Sequence, residues 1–396
     1  HRRRIDHDGV VLYGGTNTLT PAVRRVYDAE IGTLPSMGLP GDKYQTGLAD
    51  VERLEVLAGC LLTRLFGAAH VEPRPPSATM ANLAVYRAFA EPGDTIAVLP
   101  QRAGGHDSHH AHGVAGARGL RIVDLPYDGA HLDVDVDALP GFVDRERPRL
   151  VVVGTSLLLF PHRLDAVRAA ADRVGALVVY DASHVAGLVA GGRFQQPLAE
   201  GAHLMTFSTY KSLGGPPGGA VATNDPRLAA AVSASVYPGL TANYDSGRLP
   251  ALAVCAAEQL RFGSAYARAC ADNAAALADA LSDSGFAVLG RDGRFTASHH
   301  VGVDVRALGD GDSVARRLAE ARIYLSQIGL PVSGHPAPGI RLGMQVVTRR
   351  GMTSDHMPRI ARWCAAVLLD GAQPHRVGDE VREFARGFST MRYCFD

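Results

Sequence analysis

Apolar positions along the chain fall into two textures. Between residues 48 and 66, Val51, Leu54, Leu57, Leu61 and Leu65 recur at three- and four-residue spacing, which predicts a helix with one buried stripe. Short runs that are apolar throughout follow at 95–99, 120–125, 150–153, 176–180 and 203–207. Unbroken runs such as Leu-Val-Val-Val are expected of strands covered on both faces. Helical spacing separates several of them, notably at 164–174. Strands alternating with helices predict a mostly parallel sheet between two helical layers, an α/β fold.

The flanks read differently. Residues 1–45 are rich in Gly, Thr and Pro and predict an irregular segment with one short helical stretch at 21–31. After Glu72, the stretch PRPPSATMANLAVYRAFAEPGD opens with prolines, places Ser77 and Thr79 at a helix entry, and stops at Pro92-Gly93. Hydroxyl side chains at that position cap free backbone amides. A helical pattern at 249–262 leads to another at 274–281. Beyond it, apolar runs at 286–289, 299–305 and 340–344, with a helix at 313–320, predict a small α+β unit closed by a helix at 355–368. The expected division is an N-terminal segment 1–45, a large domain 46–265 and a small domain 266–396, with no internal repeat.

Charge narrows the partners. The 396 residues carry 40 basic and 40 acidic side chains. Without net charge there is no bulk attraction for nucleic acid or an anionic membrane, so a small polar substrate is expected. No apolar run approaches the ~20 residues of a membrane span, and the basic start lacks the apolar stretch of a signal peptide. Five scattered cysteines without a CxxC pair fit reduced thiols in a cytoplasmic protein.

The chemistry concentrates in ALVVYDASHVAGLVAGG and, thirty residues after its aspartate, LMTFSTYKSLGGPPGG. Asp181 ends a buried strand, where open α/β sheets bind ligands. Lys211 follows the next strand. Pyridoxal phosphate (PLP) chemistry needs both: an amine that forms a Schiff base and an acid that keeps the pyridine nitrogen protonated. Taken singly, Lys211 is an ordinary surface charge, Asp181 a helix cap and His184 a buried histidine. The histidines at 106, 109, 110 and 112 invite a metal reading, but no carboxylate or cysteine stands at ligand spacing, so no metal is expected.

With these residues in view, the chain resembles serine hydroxymethyltransferases, PLP enzymes of the aspartate-aminotransferase fold (fold type I). The resemblance spans about 11–351 and rests on MANLAVYRAFAEPGDT, AGGHDSH, DASHVAGLVA, STYKSLGGPPGG and RLGMQVVTRRGM, in family order. It implies that Lys211 carries the cofactor, Asp181 faces the pyridine nitrogen, His184 lies near the phenolic oxygen and His106 stacks on the ring. Ser77, Ala78 and Thr79 are implied for the phosphate, Ser156 and Ser208 for the cofactor wall, and Arg341 for the substrate carboxylate. A homodimer is implied as well.

The departures are equally specific. Met37 replaces the family's proton-shuttling glutamate, with Pro35 before it, and Gln45 replaces the second of two tyrosines. The family's Ser-Glu-Asn becomes Gly15-Thr16-Asn17, its histidine before the lysine becomes Tyr210, and a loop arginine becomes Pro217. A Gly-Gly that reaches a neighbouring subunit's phosphate becomes Ala242-Asn243. Methionine cannot move a proton, a role usually contributing ~10²–10⁴-fold to rate. Cofactor-holding groups are kept while those serving the folate end are lost. The expectation is an aldolase or transaldolase acting on an amino acid, with an aldehyde as partner, at the Cα–Cβ bond of a β-hydroxy-α-amino acid, with Tyr210 and His106 as candidates beside Lys211 and Asp181. Folate-dependent hydroxymethyl transfer, other Cα chemistry and a non-catalytic binding subunit are the alternatives.

Overall fold

A computed structural model describes residues 2–331 and 337–396. Its centre is a seven-stranded sheet of β1 (His70–Glu72), β2 (Thr95–Val98), β3 (Arg121–Asp124), β4 (Leu150–Val153), β5 (Leu177–Asp181), β6 (Leu204–Ser208) and β7 (Gly219–Thr223), in the order β1-β7-β6-β5-β4-β2-β3. Neighbours from β6 to β3 pair in parallel, and only β7 runs against them. β4 is buried at every position, as its all-apolar sequence requires of a strand covered on both faces. The five apolar runs of the sequence are β2 to β6. β1 and β7 escaped prediction: β7 reads Gly-Ala-Val-Ala-Thr, too small-sided to stand out, and β1 has only three residues.

Helices cover both faces. α1 (Ala49–Phe66) and α2 (Ala78–Phe89) lie where their periodicity placed them. α3 (Leu164–Asp172) connects β4 to β5. The two helical patterns after residue 248 are one helix, α4 (Arg248–Asp283), whose 36 residues span about 54 Å. Its first half packs Leu252, Cys255 and Ala256 into the core of the large sheet, and its second half packs Ala274, Leu277 and Leu281 into another core. The helix thus runs unbroken past residue 265.

The second core lies under a four-stranded antiparallel sheet of β8 (Ala287–Val288), β9 (His300–Asp304), β10 (Ser326–Leu330) and β11 (Ala337–Gly343), ordered β8-β9-β11-β10. Helices α5 (Gly311–Glu320), α6 (Met357–Leu368) and α7 (Pro374–Arg386) pack against it. α7 was not read from the sequence. Strongly amphipathic and rich in charge, it buries only a narrow stripe that includes Val377, Val381 and Ala385. The N-terminal segment is less irregular than expected, with short helices at Arg2–Asp8, Pro21–Arg25 and Ala29–Thr33. Val10–Val11 pair in parallel with Ile323–Tyr324, which carries the next residues, Gly14 and Gly15, against Arg341 on β11.

Candidate active site

At the C-terminal ends of β4, β5 and β6 a narrow cleft opens, lined by the first turn of α2 and by the segments that follow these strands. One end is the first turn of α2. Ser77 is the N-cap, its hydroxyl accepting from the Met80 amide at 3.2 Å. Ala78 and Thr79 line the cleft, so the free amides and positive dipole end of a twelve-residue helix face it. An anion is favoured there. Ser208, the last residue of β6, lines the same wall.

Across the cleft stands Asp181, the last residue of β5. Its carboxylate accepts from Asn82 Nδ2 at 3.0 Å, His109 Nε2 at 3.1 Å and the Ser183 amide at 2.9 Å. Burial alone would push its pKa up. The hydrogen bonds from His109, Ser183 and Asn82 outweigh that and hold the group well below the usual carboxylate range. His109 is held in turn by Tyr86, whose hydroxyl lies 2.5 Å from Nδ1. Burial and the Asp181 charge raise Tyr86 far above 10, so it keeps its proton and donates. Tyr86, His109 and Asp181 form a directed chain ending on a carboxylate that is held in its ionised form. Gly154, which follows β4 with φ +123°, is confined to glycine because a Cβ there would lie 2.3 Å from the Asp181 carbonyl.

Lys211, 8% exposed, brings an amine to the cleft. Burial lowers its pKa to about 8, with Asp181 opposing and Arg341 assisting. Its Nζ lies 3.1 Å from His184 Nε2. On the far side of that ring, Nδ1 is 3.3 Å from the Gly14 carbonyl, which His300 Nε2 also meets at 3.1 Å. A carbonyl can only accept, so both imidazoles point an N–H at it. Burial keeps His184 neutral, and a lone pair therefore faces the lysine.

Arg341 adjoins the site from β11 of the four-stranded sheet. Its guanidinium donates to the Ser156 carbonyl and, at 3.4 Å, to Ser326 Oγ, while Nε is buried without an acceptor. Burial pulls its pKa from 12.5 to about 10. Among the described residues no carboxylate pairs with it. A half-buried guanidinium with spare donors, its Nε shielded from solvent, beside a cleft is suited to a carboxylate.

The structure thus gathers Ser77, Ala78, Thr79, His106, Asp181, His184, Ser208, Tyr210 and Lys211 around one cleft, with Arg341 adjoining it. Ser156 does not line the cleft. Gly154 and Thr155 do, and the chain turns there so that the Ser156 carbonyl meets Arg341. The other histidines separate: His109 grips Asp181, His110 Nε2 bonds the Leu99 carbonyl at 3.1 Å, and His112 is exposed. Asn82, Tyr86, Ser183, His300 and Gly14 were not singled out from the sequence. Only their long-range pairings mark them, and no local spacing shows those. Met37, Gln45 and Asn243 also gather, with the Met37 amide on Gln45 Oε1 at 3.1 Å and the Ser36 amide on Asn243 Oδ1 at 2.7 Å, but none of them lines this cleft.

The model of the serine hydroxymethyltransferase family matches residues 2–364. The chain belongs to that family. An alpha-methylserine aldolase of Ralstonia sp is 41% identical over 98% of this chain and 89% of its own length. One from Variovorax paradoxus is 43% identical, covering 98% and 88%. A serine hydroxymethyltransferase of Korarchaeum cryptofilum is 40% identical, covering all of this chain and 95% of its own. The crystal structure of an L-threonine transaldolase from Pseudomonas fluorescens, in its internal aldimine state, superposes with a TM-score of 0.92 at 27% identity, covering 100% of this chain and 91% of that one. As a serine hydroxymethyltransferase family member the protein is a PLP enzyme with the α/β architecture of fold type I. The cleft suits that cofactor: an amine, a fixed anion and a helix N-terminus surround it, and the buried polar atoms Thr155 Oγ1, Ser183 Oγ and Asn82 Oδ1 on its walls have no hydrogen-bond partner among the described residues.

Proposed function

We propose that this family member is an aldolase: it cleaves the Cα–Cβ bond of a β-hydroxy-α-amino acid, without folate, to an amino acid and an aldehyde. When bound, pyridoxal phosphate supplies the aldehyde that joins Lys211 and a protonated ring able to take up an electron pair from Cα. In this reading Asp181, kept ionised by His109, holds the proton on the ring nitrogen. The Ser77–Thr79 turn holds the phosphate, and His106 covers the ring face. Arg341 orients the substrate by its carboxylate. The β-hydroxyl proton leaves through the cleft wall, for which Tyr210, beside Lys211, is the candidate relay, its oxygen accepting that proton as it passes its own on toward Cα. The O–H pair becomes the carbonyl of the departing aldehyde, and a proton delivered to Cα completes the amino acid. His184, its lone pair toward Nζ, steers the Lys211 proton.

The observation that carries the aldolase reading is the pairing of this kept constellation with Met37, a side chain with no proton to give where the family's glutamate serves hydroxymethyl transfer. The identity to alpha-methylserine aldolases supports it and adds α-methylserine to the substrates to be tried. The 40% identity to a serine hydroxymethyltransferase favours the second reading, folate-dependent transfer. A product screen decides: aldehyde released from α-methylserine, serine or threonine without tetrahydrofolate supports cleavage, and release only with it reverses the assignment.

The same proposal includes a cytoplasmic homodimer. No helix among the described residues is long and apolar enough to cross a membrane, and all five cysteines are unpaired thiols, as a reducing compartment would keep them. Val56 and Leu57 on α1, with Leu39 and Tyr44 from the segment before it, expose apolar surface that a second copy would cover. Sedimentation of the purified enzyme tests this; a monomer at micromolar concentration would contradict it.

A further inference from the structure

Gly14 and Gly15 enter the site from the N-terminal segment, between Arg341 and His184. The two glycines differ. A Cβ on Gly14 would come within 2.7 Å of Arg341 Nε and 2.9 Å of His300 Nε2, so that position is glycine because the neighbours already fill it. A Cβ on Gly15 would meet Arg341 Nη2 at 3.5 Å and His184 Cε1 at 3.7 Å, ordinary contact distances, and Gly15 has no left-handed φ to demand glycine. Backbone and packing would both accept a side chain there. The space is left open instead.

That space lies between the two groups a substrate has to touch. Lys211 Nζ is 3.1 Å from His184, and the carboxylate-seeking guanidinium is on the opposite side. An amino acid reaching Lys211 with its Cα and Arg341 with its carboxylate passes Gly15. Where this chain has Gly15, the family pattern has serine. We propose that Gly15 sets substrate specificity by leaving room for a second carbon substituent on the substrate's Cα, so that the site takes α,α-disubstituted amino acids with a methyl-sized group at that position. A side chain on residue 15 would project between Arg341 Nη2 and His184 Cε1 and close that space to the substituent.

The inference rests on the placement of Lys211 and Arg341 given above, but its test does not require that an aldol reaction occur. Dissociation constants for alanine and 2-methylalanine are read from the change in cofactor absorbance of the PLP-loaded enzyme, for the wild type, Gly15→Ala and Gly15→Ser. Kinetics with serine and α-methylserine run alongside. In the wild type 2-methylalanine binds within about tenfold of alanine. In both variants its affinity relative to alanine, and kcat/KM for α-methylserine relative to serine, fall by at least about tenfold, the usual effect of one misfitted carbon. Wild-type exclusion of 2-methylalanine overturns the proposal, as does an unchanged ratio in the variants or an equal loss for both ligands. If no amino acid is cleaved but the binding ratio shifts as described, the aldolase reading falls and the role of Gly15 stands.

Discussion

Replacing Arg341 by methionine has a consequence whose sign separates a substrate-binding role from a structural one. A buried structural arginine stabilises the fold, and its loss weakens the protein. Arg341 is the reverse case, with its pKa drawn from 12.5 to about 10 by burial and no carboxylate partner among the described residues. At about 1.4 kcal/mol per pH unit, that burial costs about 3 kcal/mol. A cation whose folded pKa is lowered carries the full cost wherever it is charged in both states, so at every pH below about 10. Against this stand its hydrogen bonds to the Ser156 carbonyl and Ser326 Oγ, each worth about 1 kcal/mol. Arg341→Met, which keeps an aliphatic stem, should therefore leave the amino-acid-free enzyme about 1 kcal/mol more stable in urea unfolding at pH 7. A saturating amino acid should stabilise the wild type and not the variant. Its kcat/KM should fall at least about 30-fold, since losing one side of a buried ion pair usually costs about 2–5 kcal/mol. A variant destabilised by more than about 1 kcal/mol, or one that the amino acid still stabilises, would refute the carboxylate assignment.

Three further predictions follow from the same geometry. Because burial lowers Lys211 to about 8, the rate at which PLP-free protein takes up the cofactor should rise with pH to a midpoint near 8; a midpoint near 10 would remove the burial argument. His109→Phe strips a hydrogen bond from Asp181, whose depressed pKa contributes stability above the unfolded carboxyl value that is lost as pH falls through the folded one. The variant should lose stability and activity at a higher pH than the wild type and bind PLP roughly tenfold or more weakly, a charge-assisted bond being worth about 1.5–3 kcal/mol. An unmoved acid limb would show that His109 only packs. Glu55→Ala leaves Lys43, 2.7 Å from that carboxylate and almost wholly buried, without its counter-ion, and removes the acceptor of the Tyr244 hydroxyl; a loss of about 3–5 kcal/mol in urea unfolding is expected, and less than 1 kcal/mol would contradict it.

Much of the fold was legible because its strands are doubly buried. β4, as Leu-Val-Val-Val, allows no other simple reading, and the alternation with α1, α2 and α3 fixed the layers. What escaped prediction did so for physical reasons. β7 is built of small residues whose strand character comes from its neighbours, and α7 holds its place with a thin apolar stripe under many charges. The pause in pattern within α4 marks where the helix leaves one core for the other, not where it ends. In the site, Asp181 and Lys211 stand out because each follows a recognisable strand. Asn82, Tyr86 and His109 do not: Asn82 and His109 reach Asp181 from 99 and 72 residues away, Tyr86 joins through His109, and only folding brings them together. Gly14 carries no signal of its own, and Gly15 shows only as a departure from the family's serine until Arg341 and His184 are seen beside it.

The central claim is cleavage at Lys211 of a Cα–Cβ bond without folate. The most direct measurement incubates PLP-loaded enzyme with α-methylserine, and separately with serine, in buffer free of tetrahydrofolate, and quantifies formaldehyde against the amino acid formed. Equal amounts of the two products from at least one substrate, absent with Lys211→Ala, are predicted. No formaldehyde from either until tetrahydrofolate is added, or the same yield with Lys211→Ala, would contradict the account.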